Sequence, residues 1–405
     1  MVQTASIILG VTAILSALFR AFLKPRIDEL GFFRTVQNFN NDECEKIEGL
    51  EACEDIYVHQ PSGLAYLACS RVIDRAHWTP AMSNLNRDRM PVPSLDYVAI
   101  LDLKTHVHRK LTLTNLPAHI LKHGLHTHGL DLYVESYSKE SEDQSSATLY
   151  MINHNPPDRI EQASSLGAQS VIEVFKTKIG SNEAEYQMTV AHPLILCPNN
   201  LVAMSSNSFY VSNDHGKKVG WKRALEPFLL DHDSNSIVHC SLNSPNSPDC
   251  TVAVHGHAYA NGIAKGPEQM IYMGTSLDPR LRLFDAQGDH TLVLTDELKM
   301  PRPIDNIYVT EKGSVYLAMI PKVHDFSRLL DKPGSSVSST EVWRVSNGTD
   351  QDKFFGGRLK LEKVFADDGH MVSMTTCVAV YENKLFLTGI ASPYVSVCKM
   401  KDDPK

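Results

Sequence analysis

Several features that mark common protein classes are missing from this sequence. Its eight cysteines form no C-x-x-C pair, so zinc and iron–sulfur centres have no support. It has no cluster of Lys and Arg, no zinc-finger spacing and a formal charge of −8. A surface for nucleic-acid phosphates needs a basic footprint, so nucleic acid is not an expected partner. No G-x-S-x-G elbow occurs, which argues against a serine hydrolase. Helical periodicity is scarce beyond the first forty residues. Apolar residues do run together at the amino end. Residues 5–19, ASIILGVTAILSALF, are followed by Arg20, Lys24 and Arg26. The run is about signal-peptide length and a little short for a membrane span. We read residues 1–28 as a hydrophobic signal or anchor helix, which predicts a secreted or membrane-associated protein of the secretory pathway. A buried amino-terminal helix in a cytosolic protein is the other reading. The sequon Asn347-Gly348-Thr349 agrees with a secretory route and a glycosylated Asn347.

What is abundant is the short strand bounded by Gly, Asn, Asp or Pro. Several segments share one template: a polar opening, an apolar strand, a turn, then an aromatic-rich strand. Examples are CEDIYVHQPSGLAYLACS, PNNLVAMSSNSFYVSND, YANGIAKGPEQMIYMGTS, IDNIYVTEKGSVYLAMI and TTCVAVYENKLFLTGI, and THGLDLYVE with ATLYMIN is a sixth. The openings fall near 54, 128, 199, 261, 305 and 376, which leaves room for about four strands each. The pattern predicts an all-β, six-bladed β-propeller over residues 40–400. A sandwich or barrel would not explain why the polar signature always precedes a unit's first strand. Residues 137–146 read as a hairpin tip, 231–250 and 330–339 as loops, and 217–230 as a short helix or flap.

In a propeller the innermost strand of each blade starts beside the central tunnel. The openings carry Glu54 and Asp55, His128, Asn199 and Asn200, Asn261, and Asp305 and Asn306. Oxygen donors dominate, which suits calcium, a cation that takes six to eight oxygens, better than zinc. A single Asn or Asp pair usually marks a turn. The recurrence at equivalent positions of separate repeats is what points to a shared ion.

The strings CEDI, THGLDLY, INH, PNNLVA, YVSNDH, YANGI, IDNIYV and YVSVC, in that order, resemble the serum paraoxonase/arylesterase family. These are calcium-dependent lactonases and esterases with a six-bladed propeller. The resemblance covers about residues 40–400. It implies a catalytic calcium on Glu54, Asn199, Asn261, Asp305 and Asn306. It implies a second, structural calcium on Asp55, the Leu130 carbonyl and Asn200. The family has aspartate at that last position, so one negative charge is missing here. His128 and His154 match its paired histidines, while a further active-site histidine falls near Ile320 and is absent. The family's end-joining disulfide matches Cys44 and Cys398 and would close the propeller. Its uncleaved amino-terminal segment, used to hold lipid or membrane, matches residues 5–19.

Calcium in such a site polarises an ester or lactone carbonyl. His128 is the expected base that activates water, with His154 holding or relaying through it. Asp305 is the alternative base or nucleophile. The expected substrates are small lactones and aryl esters, with organophosphate triesters as a side activity. Two readings compete: a non-catalytic, calcium-stabilised binding propeller, and a strictosidine-synthase-like propeller enzyme working through a glutamate.

Overall fold

The computed structural model describes residues 11–135, 145–226, 236–243, 247–257, 259–333, 337–347 and 359–401. Among the described residues, six sheets of four or five strands make a six-bladed β-propeller, and a two-stranded pair, Trp78–Thr79 with Asn84–Leu85, stands apart from them. The innermost strands are Asp55–His59, Thr127–Val134, Pro198–Ser205, Ala260–Lys265, Ile304–Val309 and Cys377–Tyr381, in blades one to six. Each begins within a residue of the polar opening read from the sequence. In blade six, Cys44–Ile47 from the amino end pairs antiparallel with Val395–Lys399 from the carboxyl end. Cys44 lies opposite Cys398, and a disulfide joins these strand neighbours across 354 residues. Two further bridges, Cys53–Cys69 and Cys240–Cys250, link near neighbours.

Side-chain alternation explains why the blades stack. Successive residues of a strand point to opposite faces, and here both faces meet another blade. In Leu64–Cys69, Ala65 and Leu67 pack toward blade six, while Tyr66 and Ala68 pack toward blade two. The same division yields an apolar cluster in every gap between adjacent blades. Inner strands are therefore buried on both sides. The outer strand Glu183–Val190 alternates between exposed and buried positions over its first half.

Hydroxyls stitch neighbouring blades near the tunnel. Thr376 Oγ1 donates to the Glu54 carbonyl at 2.9 Å, Ser212 Oγ to the Asn261 carbonyl at 2.7 Å, and Ser276 Oγ to the Ile304 carbonyl at 2.7 Å. Glycine lets inner strands touch. A Cβ on Gly129 would stand 2.8 Å from the Asn199 carbonyl oxygen, and one on Gly262 would stand 2.6 Å from that of Asp305.

Two expectations are corrected. The anchor reading fails: among the described residues no helix is long and apolar enough to cross a membrane. Residues 11–29 are helical, with a π-helical stretch at Phe19–Leu23, and residues 11–18 are exposed rather than buried. Membrane association through a spanning amino-terminal helix is corrected accordingly; residues 5–10 lie outside the described residues. The loop read over 231–250 holds the strand Ser236–Ser241 and the start of Asp249–His255, with Cys240 facing Cys250. Its flanking Ser, Asn and Pro hid a buried strand. The structure places a short helix, Gly220–Leu225, within 217–230. Asn347 ends a strand, while Gly348, Thr349 and most of the hairpin tip lie outside the described residues.

Candidate active site

Four blades share a backbone irregularity at the positions that matter. Asn199 and Asn200 lie between the pairs Pro198↔Asn213 and Leu201↔Val211, so two residues face one, Ser212. Asn261 and Gly262 oppose Gly274, and Asp305 and Asn306 oppose Ala318, in the same way. In blade two, His128 and Gly129 oppose Ile152. A β-bulge breaks strict alternation and re-aims side chains. Two consecutive polar residues can thus serve the same tunnel, where a regular strand would send one into the gap between blades.

Glu54 is 1% exposed. Its Oε1 accepts a hydrogen bond from Asn306 Nδ2 at 2.7 Å, while its Oε2 has no partner. Asn199 Oδ1 and Asn261 Oδ1 are also buried and unpartnered. Asn261 Nδ2 donates to Ser276 Oγ at 2.9 Å, which fixes the amide. Burial, and then the nearby charges of Asp55 and Asp305, hold the Glu54 carboxyl well above the usual carboxylate range. Burial lifts Asp305 to about 8, against the lowering effect of a hydrogen bond from Asn261. Asn306 accepts from Asn200 Nδ2 on its oxygen at 2.9 Å and donates its Nδ2 to Glu54.

Asp55, one residue on, is satisfied differently. Its carboxylate accepts from the backbone N–H groups of Ile56 and Leu130 and from the side chains of Asn200 and Cys377. Leu130 presents its N–H, not its carbonyl, to this carboxylate. Asp55, Leu130, Asn200 and Cys377 line a cavity of about 620 Å³ that runs along the inner strands past Asp131 and Lys265.

The histidine pair stands at the strand starts. The rings of His128 and His154 are 5.0 Å apart, edge to face. His154 Nδ1 is bonded to Ser170 Oγ at 2.8 Å, leaving Nε2 unpartnered, as is His128 Nδ1. Burial drives His128 well below the ordinary imidazole range, with His154 and Arg75 adding to it, and holds His154 at about 3. Burial thus keeps both imidazoles neutral and disfavours their protonated forms, while His128 Nδ1 and His154 Nε2 stay free of hydrogen bonds.

Sequence reasoning missed what frames this pair. The helix Val72–Arg75 puts Arg75 inside the molecule, 3% exposed. Arg75 Nη1 donates to the Thr127 carbonyl at 2.7 Å, and Asp96 accepts from the Thr127 N–H at 2.9 Å. Together they grip the residue before His128. Trp78 Nε1 donates to the His154 carbonyl at 2.9 Å. Arg223 donates to the carbonyls of Pro80 and Ala81, which cover His154 and leave a space of about 10 Å³ beside it. An Arg and a Trp in a segment that breaks the strand pattern were the available signal. Ile320, near the absent histidine, packs in an apolar cluster with Phe326 and Met374.

A metal site built from His, Cys, Asp and Glu alone is not present: no group of three or more such side chains that could hold a metal occurs among the described residues. The physical reason is the donor set, in which the three expected asparagines outnumber the two expected carboxylates.

The arylesterase family model matches residues 35–397. Human serum paraoxonase/arylesterase 1 is 22% identical over 374 residues, covering 92% of this chain and 93% of the relative. Bovine serum paraoxonase/arylesterase 2 is 23% identical over 357 residues, covering 87% and 88%. A solved gluconolactonase of Xanthomonas campestris shares 12% identity over 92% of each chain at a TM-score of 0.45, too distant to bear on function. The propeller and its match across most of the chain define a carboxylic ester hydrolase. The chain belongs to the arylesterase family.

Proposed function

We propose that this protein hydrolyses lactones and aryl esters with one calcium ion held by Glu54, Asn199, Asn261 and Asp305. The observation that carries this reading is a set of three buried oxygens without partners: Glu54 Oε2, Asn199 Oδ1 and Asn261 Oδ1. Leaving such a group unsatisfied costs about 1–3 kcal/mol each. An oxygen-seeking cation of low polarising demand fits the two carboxylates and two amides better than a metal that needs nitrogen or sulfur. Burial, with Asp55 and Asp305 nearby, disfavours the charged form of Glu54, and a divalent ion would favour the ionised carboxylates.

The ion, when bound, would supply a Lewis acid for the substrate carbonyl and its oxyanion. The chain's own residues do the rest. His128, neutral and with an unpartnered Nδ1, takes a proton from water. His154, fixed by Ser170, holds the edge of that ring and receives the proton or orients the pair. Arg75 and Asp96 hold Thr127 and so the approach of His128. Asp305 remains a competing base when its proton has left. The disulfide Cys44–Cys398 clasps the first and last strands of the ring, which keeps the six strand starts in register.

The test is a panel of lactones and aryl esters assayed before and after EGTA dialysis, then with calcium restored. Loss and recovery of hydrolysis are expected. Unchanged turnover, with calcium shown to be absent, would overturn the proposal.

A further inference from the structure

The resemblance leads one to expect a second ion on Asp55, Leu130 and Asn200, and the residues present do not fit it. We infer that a protein-only cap stands in its place and that this chain holds a single calcium in its tunnel. The inference rests on the reading of the Glu54 cluster for that first ion.

A carboxylate offers about four lone-pair directions. At Asp55 all are taken. Oδ1 accepts from the Ile56 N–H at 2.9 Å and the Cys377 thiol at 3.2 Å. Oδ2 accepts from the Leu130 N–H at 3.0 Å and from Asn200 Nδ2 at 3.1 Å. The same Asn200 nitrogen donates to Asn306 Oδ1 at 2.9 Å, so both its hydrogens are used. A cation at this place would meet the positive ends of two N–H groups, an amide NH₂ and a thiol. The contrast with Glu54 is local, because Glu54 keeps an unpartnered oxygen and Asp55 does not.

The cap also does what a structural ion would do. Asp55 belongs to blade one, Leu130 to blade two, Asn200 to blade three, Asn306 to blade five and Cys377 to blade six. One carboxylate and one amide thus tie five of the six inner strands at the axis. Asn200 in place of an aspartate is what makes this possible, since a second carboxylate would repel Asp55 and call for a cation between them.

The experiment is calcium stoichiometry by equilibrium dialysis of the full chain against calcium chloride, with metal measured by mass spectrometry. One ion per wild-type chain and none in Glu54→Gln are expected. Asn200→Asp should add one ion, in the wild-type and in the Glu54→Gln background alike. Two ions in the wild type, one remaining in Glu54→Gln, or no gain in Asn200→Asp would overturn the inference. No ion in the wild type, with one gained in Asn200→Asp, would sink the calcium reading of the Glu54 cluster and leave the cap standing. The wild-type count needs no variant, so a variant that fails to fold does not decide the outcome.

Discussion

Glu54 and Asp55 are neighbours in the chain, both carboxylates, both buried and both raised by burial, yet their hydrogen bonding differs. Glu54 has one oxygen held by Asn306 and one held by nothing, and the amide oxygens of Asn199 and Asn261 are likewise buried without partners. Asp55 has four donors on two oxygens. The difference comes from what the bulges deliver. At Glu54 they bring one nitrogen, of Asn306, and leave one carboxylate oxygen unpartnered; at Asp55 they bring the nitrogen of Asn200 to a carboxylate that three other donors also fill. The first arrangement leaves a buried carboxylate oxygen unsatisfied, and the second satisfies every lone-pair direction. Residue type alone therefore does not make a metal site. The polarity of the atoms presented by its neighbours does.

The largest expected effects fall on the Glu54 side. Glu54→Gln should cut hydrolysis of a reactive aryl ester by about a thousandfold or more, as removal of a metal-based oxyanion stabiliser does. His128→Gln should cost roughly 10²–10⁴-fold in kcat, with circular dichroism and thermal melting near wild type. Steady-state kinetics checks both. Cys44→Ser should lower stability by about 2–5 kcal/mol in a denaturant titration, through the very long loop it frees. Asp55→Asn sharpens the comparison. It points an NH₂ at donors and should destabilise by about 1–3 kcal/mol, while far more activity survives than in Glu54→Gln.

A subtler effect is proton linkage. Asp305 is held at about 8 by burial, so it retains a proton at neutral pH until a cation displaces it. Calcium binding should release protons, and the apparent Kd should fall as pH rises toward 8, visible by calorimetry in buffers of different ionisation enthalpy. The histidines act in the opposite range. His128 and His154 are depressed in the folded state, so the unfolded chain binds more protons below about 6.5. Their contribution to stability is present above that pH and is lost as pH falls below it.

Much of the ring was legible in the sequence, for a physical reason. A strand that begins at the tunnel needs polar residues first and apolar residues next, and that switch recurs near Glu54, His128, Asn199, Asn261 and Asp305. The bulges were not legible, because register depends on the partner strand. Without them the pairs Asn199–Asn200 and Asp305–Asn306 look like turns. The loop expected at 231–250 failed where the strand Ser236–Ser241 is flanked by turn residues. Arg75 and Trp78 were passed over because their segment follows no strand pattern. The hydrophobic amino end suggested an anchor, but composition does not fix the length of a helix, and no described helix is long and apolar enough to cross a membrane.

The central claim is tested most directly by an anomalous-difference map from crystals grown at saturating calcium. The account predicts one peak in the tunnel, within the usual coordination distance of about 2.3–2.6 Å from Glu54 Oε2, Asn199 Oδ1 and Asn261 Oδ1. A map with no peak near those three oxygens would contradict it.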